Sequence, residues 1–99
     1  MNQTKKIELA TIITQSDEVI SADIDGEAVV MHIENYKYFG LDDIATQIWE
    51  MIEEPMSVAQ LCNQLLPEYE VERLTGERNV LVCLNGLLKD DLVSIVETK

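Results

Sequence analysis

Scarcity is the first thing this 99-residue sequence offers: one histidine, one tryptophan, one phenylalanine, two cysteines, two prolines and only seven basic residues. Each shortage removes a class of function. The lone His32 sits in a strand-like run, where it reads as a rim or core residue rather than a general base. The sequence has no metal-ligand spacing, no glycine-rich phosphate loop and no Ser/His/Asp or Cys/His arrangement, so neither an enzyme nor a cofactor is expected. Seven bases against 19 acids leave a net charge of −12. Binding a duplex requires clustered Lys and Arg to displace counterions, so nucleic acid is disfavoured, and an anionic membrane surface equally so. Cys62 and Cys83 stand apart, each within an apolar helical pattern, as buried thiols of a cytoplasmic protein would. No apolar run approaches the roughly 18 residues of a membrane span. Lys5 and Lys6 imitate a signal n-region, but Glu8 and Thr11 interrupt the apolar run after them, and the Asn2-Gln3-Thr4 sequon has no secretory context. No linker, repeat or low-complexity tract divides the chain, and its length suits one core.

What is present reads as strands followed by helices. Val19 to Ile24 alternates loosely, Asp25-Gly26 is a two-residue hairpin signal, and Ala28 to Ile33 is a β-rich run with Val29, Met31 and Ile33 on one face. Glu34-Asn35 turns the chain into Tyr36-Lys37-Tyr38-Phe39-Gly40-Leu41, an aromatic third strand of an antiparallel meander. Tyr36 and Tyr38 share one face and Lys37, Phe39 and Leu41 the other, with either face open to be the buried one. Residues 1–18 form an N-terminal arm or contribute an extra strand within 7–14. Asp42 is the expected N-cap of a first helix carrying Leu41, Ile44, Ala45, Ile48 and Ile52 as its stripe. Trp49 is expected to pack rather than to touch a ligand. Glu53-Glu54-Pro55 stops that helix, because the residue before proline avoids the α region.

Ser57 and Gln60 make a capping box, with Met56 and Leu61 in the staple positions, for a second helix running to Pro67. A third helix is expected over Arg73 to Lys89, with Leu74, Val80, Leu81, Leu84, Leu87 and Leu88 at a period near 3.6. Gly86 inside it marks either close backbone packing or a tolerated accident. Leu92 to Val96 comes next as a short wing strand. The expected fold is therefore α+β: a winged-helix-like domain with an N-terminal three-stranded antiparallel sheet, three helices and a C-terminal wing strand.

Taken together, the hairpin Asp25-Gly26-Glu27 before Ala28-Val29-Val30-Met31, the strand Tyr36 to Leu41, Ile48-Trp49-Glu50, Ser57-Val58-Ala59-Gln60-Leu61, and Leu81-x-x-Leu84-x-x-Leu87-x-x-Asp90-x-Leu92-Val93 resemble the PqqD-like family. These domains, also called RiPP recognition elements, bind the leader segments of ribosomally made precursor peptides. The resemblance covers residues 19–96 and is nearest to the stand-alone recognition proteins of lasso-peptide biosynthesis. It implies a non-catalytic protein that holds a precursor's leader and presents it to a leader peptidase and then a cyclase. The leader would add a strand to residues 36–41 and send apolar side chains into a groove beside helix 73–89.

On that reading the expected contacts are Tyr36, Lys37, Tyr38, Phe39, Gly40 and Leu41 from the strand. Arg78, Leu81, Val82 and Asn85 are taken as the side of the helix turned toward it. Phe39, Leu41 and Leu81 are equally readable as ordinary core. Four or five new backbone hydrogen bonds, each contributing about 0.5–1.5 kcal/mol, are nearly offset by ordering the same residues at about 1–2 kcal/mol each. Affinity in the micromolar range or better therefore needs two or three buried apolar anchors of roughly 1.5–3 kcal/mol apiece. A winged-helix regulator of nucleic acid and an acidic protein–protein adaptor are the competing readings; a monomer or weak dimer is expected.

Overall fold

The computed structural model describes residues 6–96. Lys5 and the Asn2-Gln3-Thr4 sequon lie outside the described residues. Two small antiparallel sheets flank three helices. One sheet holds β2 (Val19–Ile24), β3 (Glu27–His32) and β4 (Tyr38–Gly40) in the order β2-β3-β4. The other orders β5 (Met56–Ser57), β1 (Ile12–Gln15) and β6 (Val93–Ile95) as β5-β1-β6. The helices are α1 (Asp43–Met51), α2 (Val58–Leu65) and α3 (Arg73–Lys89), with a 3-10 turn at Leu66–Glu68. The architecture is the α+β arrangement expected, with the meander, the three helices and the late strand in that order.

Local chemistry accounts for most boundaries. The β2–β3 hairpin turns on Asp25 (φ 54°) and Gly26 (φ 86°), the left-handed pair that a tight hairpin demands. Asp42 caps α1 by accepting the Ala45 N–H at 2.9 Å. Ser57 and Gln60 close the reciprocal capping box of α2. A buried set from every layer, Ile13, Val30, Ile48, Ile52, Leu61, Leu84 and Leu92 among it, fills the space between the sheets and the helices.

Several expectations are corrected. The aromatic strand is shorter than 36–41: Tyr36 has φ 59° and belongs to the β3–β4 turn, where its N–H bonds to the His32 carbonyl at 2.9 Å. The expected late strand does form, as Val93–Ile95, and its partner is β1: Val93, Ser94 and Ile95 pair with Gln15, Thr14 and Ile13. Met56–Ser57 pairs with Ile13 and Ile12, an unforeseen strand of two residues. Ile44 and Leu74 are exposed although both lie on the expected stripes. Gly86 meets nothing within 4 Å where a Cβ would stand. Gly76 is the closely packed glycine, its Cβ position lying 2.8 Å from Leu66 Cδ2.

Candidate functional site

Among the described residues β4 pairs with β3 alone, so one side of it is an open edge. The ladder fixes which groups face outward. Leu41 donates its N–H to the Ala28 carbonyl and Lys37 accepts from the His32 N–H, both at 2.9 Å, while Phe39 stands opposite Val30. Antiparallel strands alternate, so residues 37, 39 and 41 turn their backbone toward β3 and Tyr38 and Gly40 turn theirs away. Two N–H groups and two carbonyls are thereby presented to an incoming strand.

The side chains alternate too. Tyr38 is 68% exposed on the outer face, beside Ile20, Ala22, Val29 and Met31, whereas Phe39 and Leu41 turn inward. The buried face of the aromatic strand is thus Phe39 and Leu41. Phe39 is held from two directions: the His32 ring meets it edge-on at 6.3 Å, and Lys37 Nζ lies 5.9 Å from its centroid. His32, only 9% exposed, donates Nε2–H to the Asp90 carbonyl at 3.1 Å, since a carbonyl can only accept. It ties the end of β3 to the end of α3. Thr46 anchors the other end of the edge. Its hydroxyl accepts the Ala28 N–H at 2.9 Å and donates to the Leu41 carbonyl at 3.3 Å.

The His32–Asp90 hydrogen bond identifies the end of α3 that meets the meander. Burial, and secondarily the Asp42 carboxylate, push the Cys83 thiol above its ordinary value. Asp90 lies seven residues on, two turns along the same flank. Gly86 falls between them, and above it the space is open. Asn79, Cys83, Gly86 and Asp90 share one flank of α3 by helical spacing, and Asp90 meets the end of β3 through His32.

The α3 residues expected to face the strand do come together, but elsewhere. Arg78, Leu81, Val82 and Asn85 line a groove of about 960 Å³ whose opposite wall is Lys6, Ile7 and Glu8. Leu81 lies two residues, about 200° of helical turn, from Cys83, and so on the opposite flank of α3. Asn85 clamps the backbone of Ile7, donating Nδ2–H to its carbonyl (3.3 Å) and accepting its N–H (3.1 Å). Thus Tyr38, Phe39, Gly40 and Leu41 cluster at the edge. Tyr36 and Lys37 lead into it, and the four helix residues form a separate surface. Cys83 and Gly86 were not singled out from the sequence as site residues, although spacings of three and four place them on one helix flank with Asp90. Trp49 is buried and donates to Ser21 Oγ at 3.3 Å, a packing role.

Among the described residues no group of three or more His, Cys, Asp and Glu could hold a metal ion, and no helix is long and apolar enough to cross a membrane. Arg73 is engaged by Glu77 and Asn63 at the start of α3, and Arg78 and Lys89 are that helix's other bases, too few against a charge of −12 for a nucleic-acid reader.

Comparison with known proteins identifies the family and the fold. Residues 27–93 match the family described as coenzyme PQQ synthesis protein D (PqqD). The fold is similar to TbiB1, solved in complex with the TbiA(beta) leader peptide: TM-score 0.77, 34% identity, covering 86% of this chain and 99% of that one. It is also similar to a lasso peptide synthetase B1 complexed with its leader peptide: TM-score 0.74, 26% identity, covering 83% and 96%. No curated protein sequence matches the chain.

Proposed function

The chain belongs to the PqqD family, and from that premise we propose that it binds the leader segment of a ribosomally synthesised precursor peptide without catalysing a reaction itself. The leader adds as a strand to the open edge of β4, exchanging hydrogen bonds with Tyr38 and Gly40. Every second leader side chain enters the furrow between Phe39 and Leu41 on one wall and Cys83 and Gly86 on the other. The observation that carries this reading is the outer side of β4, which no strand among the described residues pairs. The two structural relatives, each solved with a leader peptide, support it.

Presentation of the bound leader to a separate leader peptidase and then a cyclase completes the proposed role. The setting is cytoplasmic, in keeping with free thiols at both Cys62 and Cys83. The test is a titration of the ¹⁵N-labelled protein with the leader half and the core half of a precursor. The leader half is expected to bind in the micromolar range or better and to shift the amides of residues 37–41 and 83–90. Binding of the core half alone, or shifts confined to other elements, would overturn the reading.

A further inference from the structure

The groove on the far flank of α3 has a character unlike the rest of the surface. It runs along α3 from residue 78 to residue 89, about 16 Å at 1.5 Å per residue. Its apolar surface comes from Leu81, Val82 and Leu88, and Val82 is 69% exposed with no partner of its own. Around this strip stand Lys6, Arg78 and Lys89, three of the seven basic residues of a chain that carries 19 acids. Glu8 is the one acid in the lining. A cation-rimmed apolar groove on a protein of charge −12 selects for a partner that is apolar on one stripe and acidic on its borders, and the remaining surface repels that partner elsewhere.

Backbone accounting decides the form of the occupant. On the wall opposite α3, Asn85 uses both the N–H and the carbonyl of Ile7, and the Glu8 N–H bonds to Thr11 Oγ1 at 2.8 Å. Neither residue has a donor left for strand pairing, in contrast to the edge of β4. An occupant must bind through side chains, and about three helical turns span the 16 Å available. We propose that this groove docks an acidic amphipathic helix of a partner protein. Apolar residues at i, i+3, i+4 and i+7 rest on Leu81, Val82 and Leu88, and flanking carboxylates meet Lys6, Arg78 and Lys89. The β4 edge stays free, so both surfaces can be filled at once, and the proposal stands whether or not β4 receives a leader.

The experiment uses the full chain, ¹⁵N-labelled, and two synthetic amphipathic peptides of ~18 residues, long enough to hold helical structure. They share one leucine stripe; one carries glutamates and the other lysines at the bordering positions. The glutamate peptide is expected to bind saturably and to shift amides of residues 6–8 and 78–89 but not 38–40. The lysine peptide, although favoured by the net charge, is expected to leave the groove unperturbed. Arg78→Glu with Lys89→Glu should weaken the glutamate peptide about tenfold or more with an unchanged thermal melt, and Val82→Asp should do the same. Four results would overturn the proposal: equal binding of both peptides in the groove, shifts centred on β4, no saturable binding up to about 1 mM, or charge reversal without effect. Sedimentation of the unlabelled protein closes the remaining alternative. A dimer dissolved by Val82→Asp would assign the groove to a second copy and also overturn it.

Discussion

Proline at position 38 is the sharpest test of strand addition, because the ladder separates binding from folding. The Tyr38 N–H points away from β3, so Tyr38→Pro removes no bond of the folded sheet. Proline is tolerated on edge strands where its missing N–H would have faced solvent. In the complex the same change deletes one backbone hydrogen bond, worth about 0.5–1.5 kcal/mol. The ring also stands where the leader's carbonyl must approach, which strains the companion bond to the Tyr38 carbonyl. The expected loss is about 1–3 kcal/mol, or roughly 5- to 150-fold in Kd, read by fluorescence anisotropy of a labelled leader. Circular dichroism should show the native melt for Tyr38→Pro. Phe39→Pro, which removes a donor facing Val30, should unfold the meander. A folded Tyr38→Pro variant with wild-type affinity would refute strand addition at this edge.

Gly86 yields two opposed effects. Gly86→Ala should stabilise the protein by about 0.5–1 kcal/mol, since the space is open and alanine is the better helix former, raising Tm in calorimetry. Gly86→Leu should instead fill the furrow and weaken leader binding at least about tenfold in the same anisotropy assay. Thr46→Val removes a buried hydroxyl that joins β3, the end of β4 and α1. A cost of about 1–3 kcal/mol is expected by urea unfolding, and leader affinity should fall with it. Burial raises both the Cys62 and Cys83 thiols above their ordinary value of 9.0. The folded state then holds the thiol protons more tightly than the unfolded state. Stability from this source is complete below pH 9 and is lost as pH rises through the elevated values, which alkaline denaturation should register. Cys62→Ala should flatten that alkaline slope.

Features set by a few adjacent residues were legible in the sequence. Asp25-Gly26, the Asp42 cap and the Ser57/Gln60 box each place their own hydrogen bonds, and the 3.6-residue period marked α3 as Arg73–Lys89. Long-range pairing was not legible. Met56–Ser57 becomes a strand only because Ile12 and Ile13 lie beside it, and the strand expected near Val93–Ile95 gave no sign that β1 would be its partner. Tyr36 was misplaced because a bulky residue at φ 59° has no local signal; the turn is imposed by the His32 carbonyl and the pairing beyond. On α3, leucines and valines on both flanks left the orientation ambiguous. Val82 and Leu74 carry apolar side chains into solvent, so hydrophobicity alone could not say which side looks at β4. That ambiguity grouped Arg78, Leu81, Val82 and Asn85 with the strand when they border residues 6–8.

The seating of β1 between β5 and β6 sets the two sheets apart in how far their pairings reach along the chain. Residues 19–41 make the receptive ribbon from neighbours close in the chain, while the companion sheet waits for residues 93–95 before it can close. The partners of that ribbon thus lie within 23 consecutive residues, whereas its ends are tied by Thr46 and Asp90, which come later in the chain. An exposed edge whose pairings are this local is the part of the molecule most open to pairing with a strand of another chain.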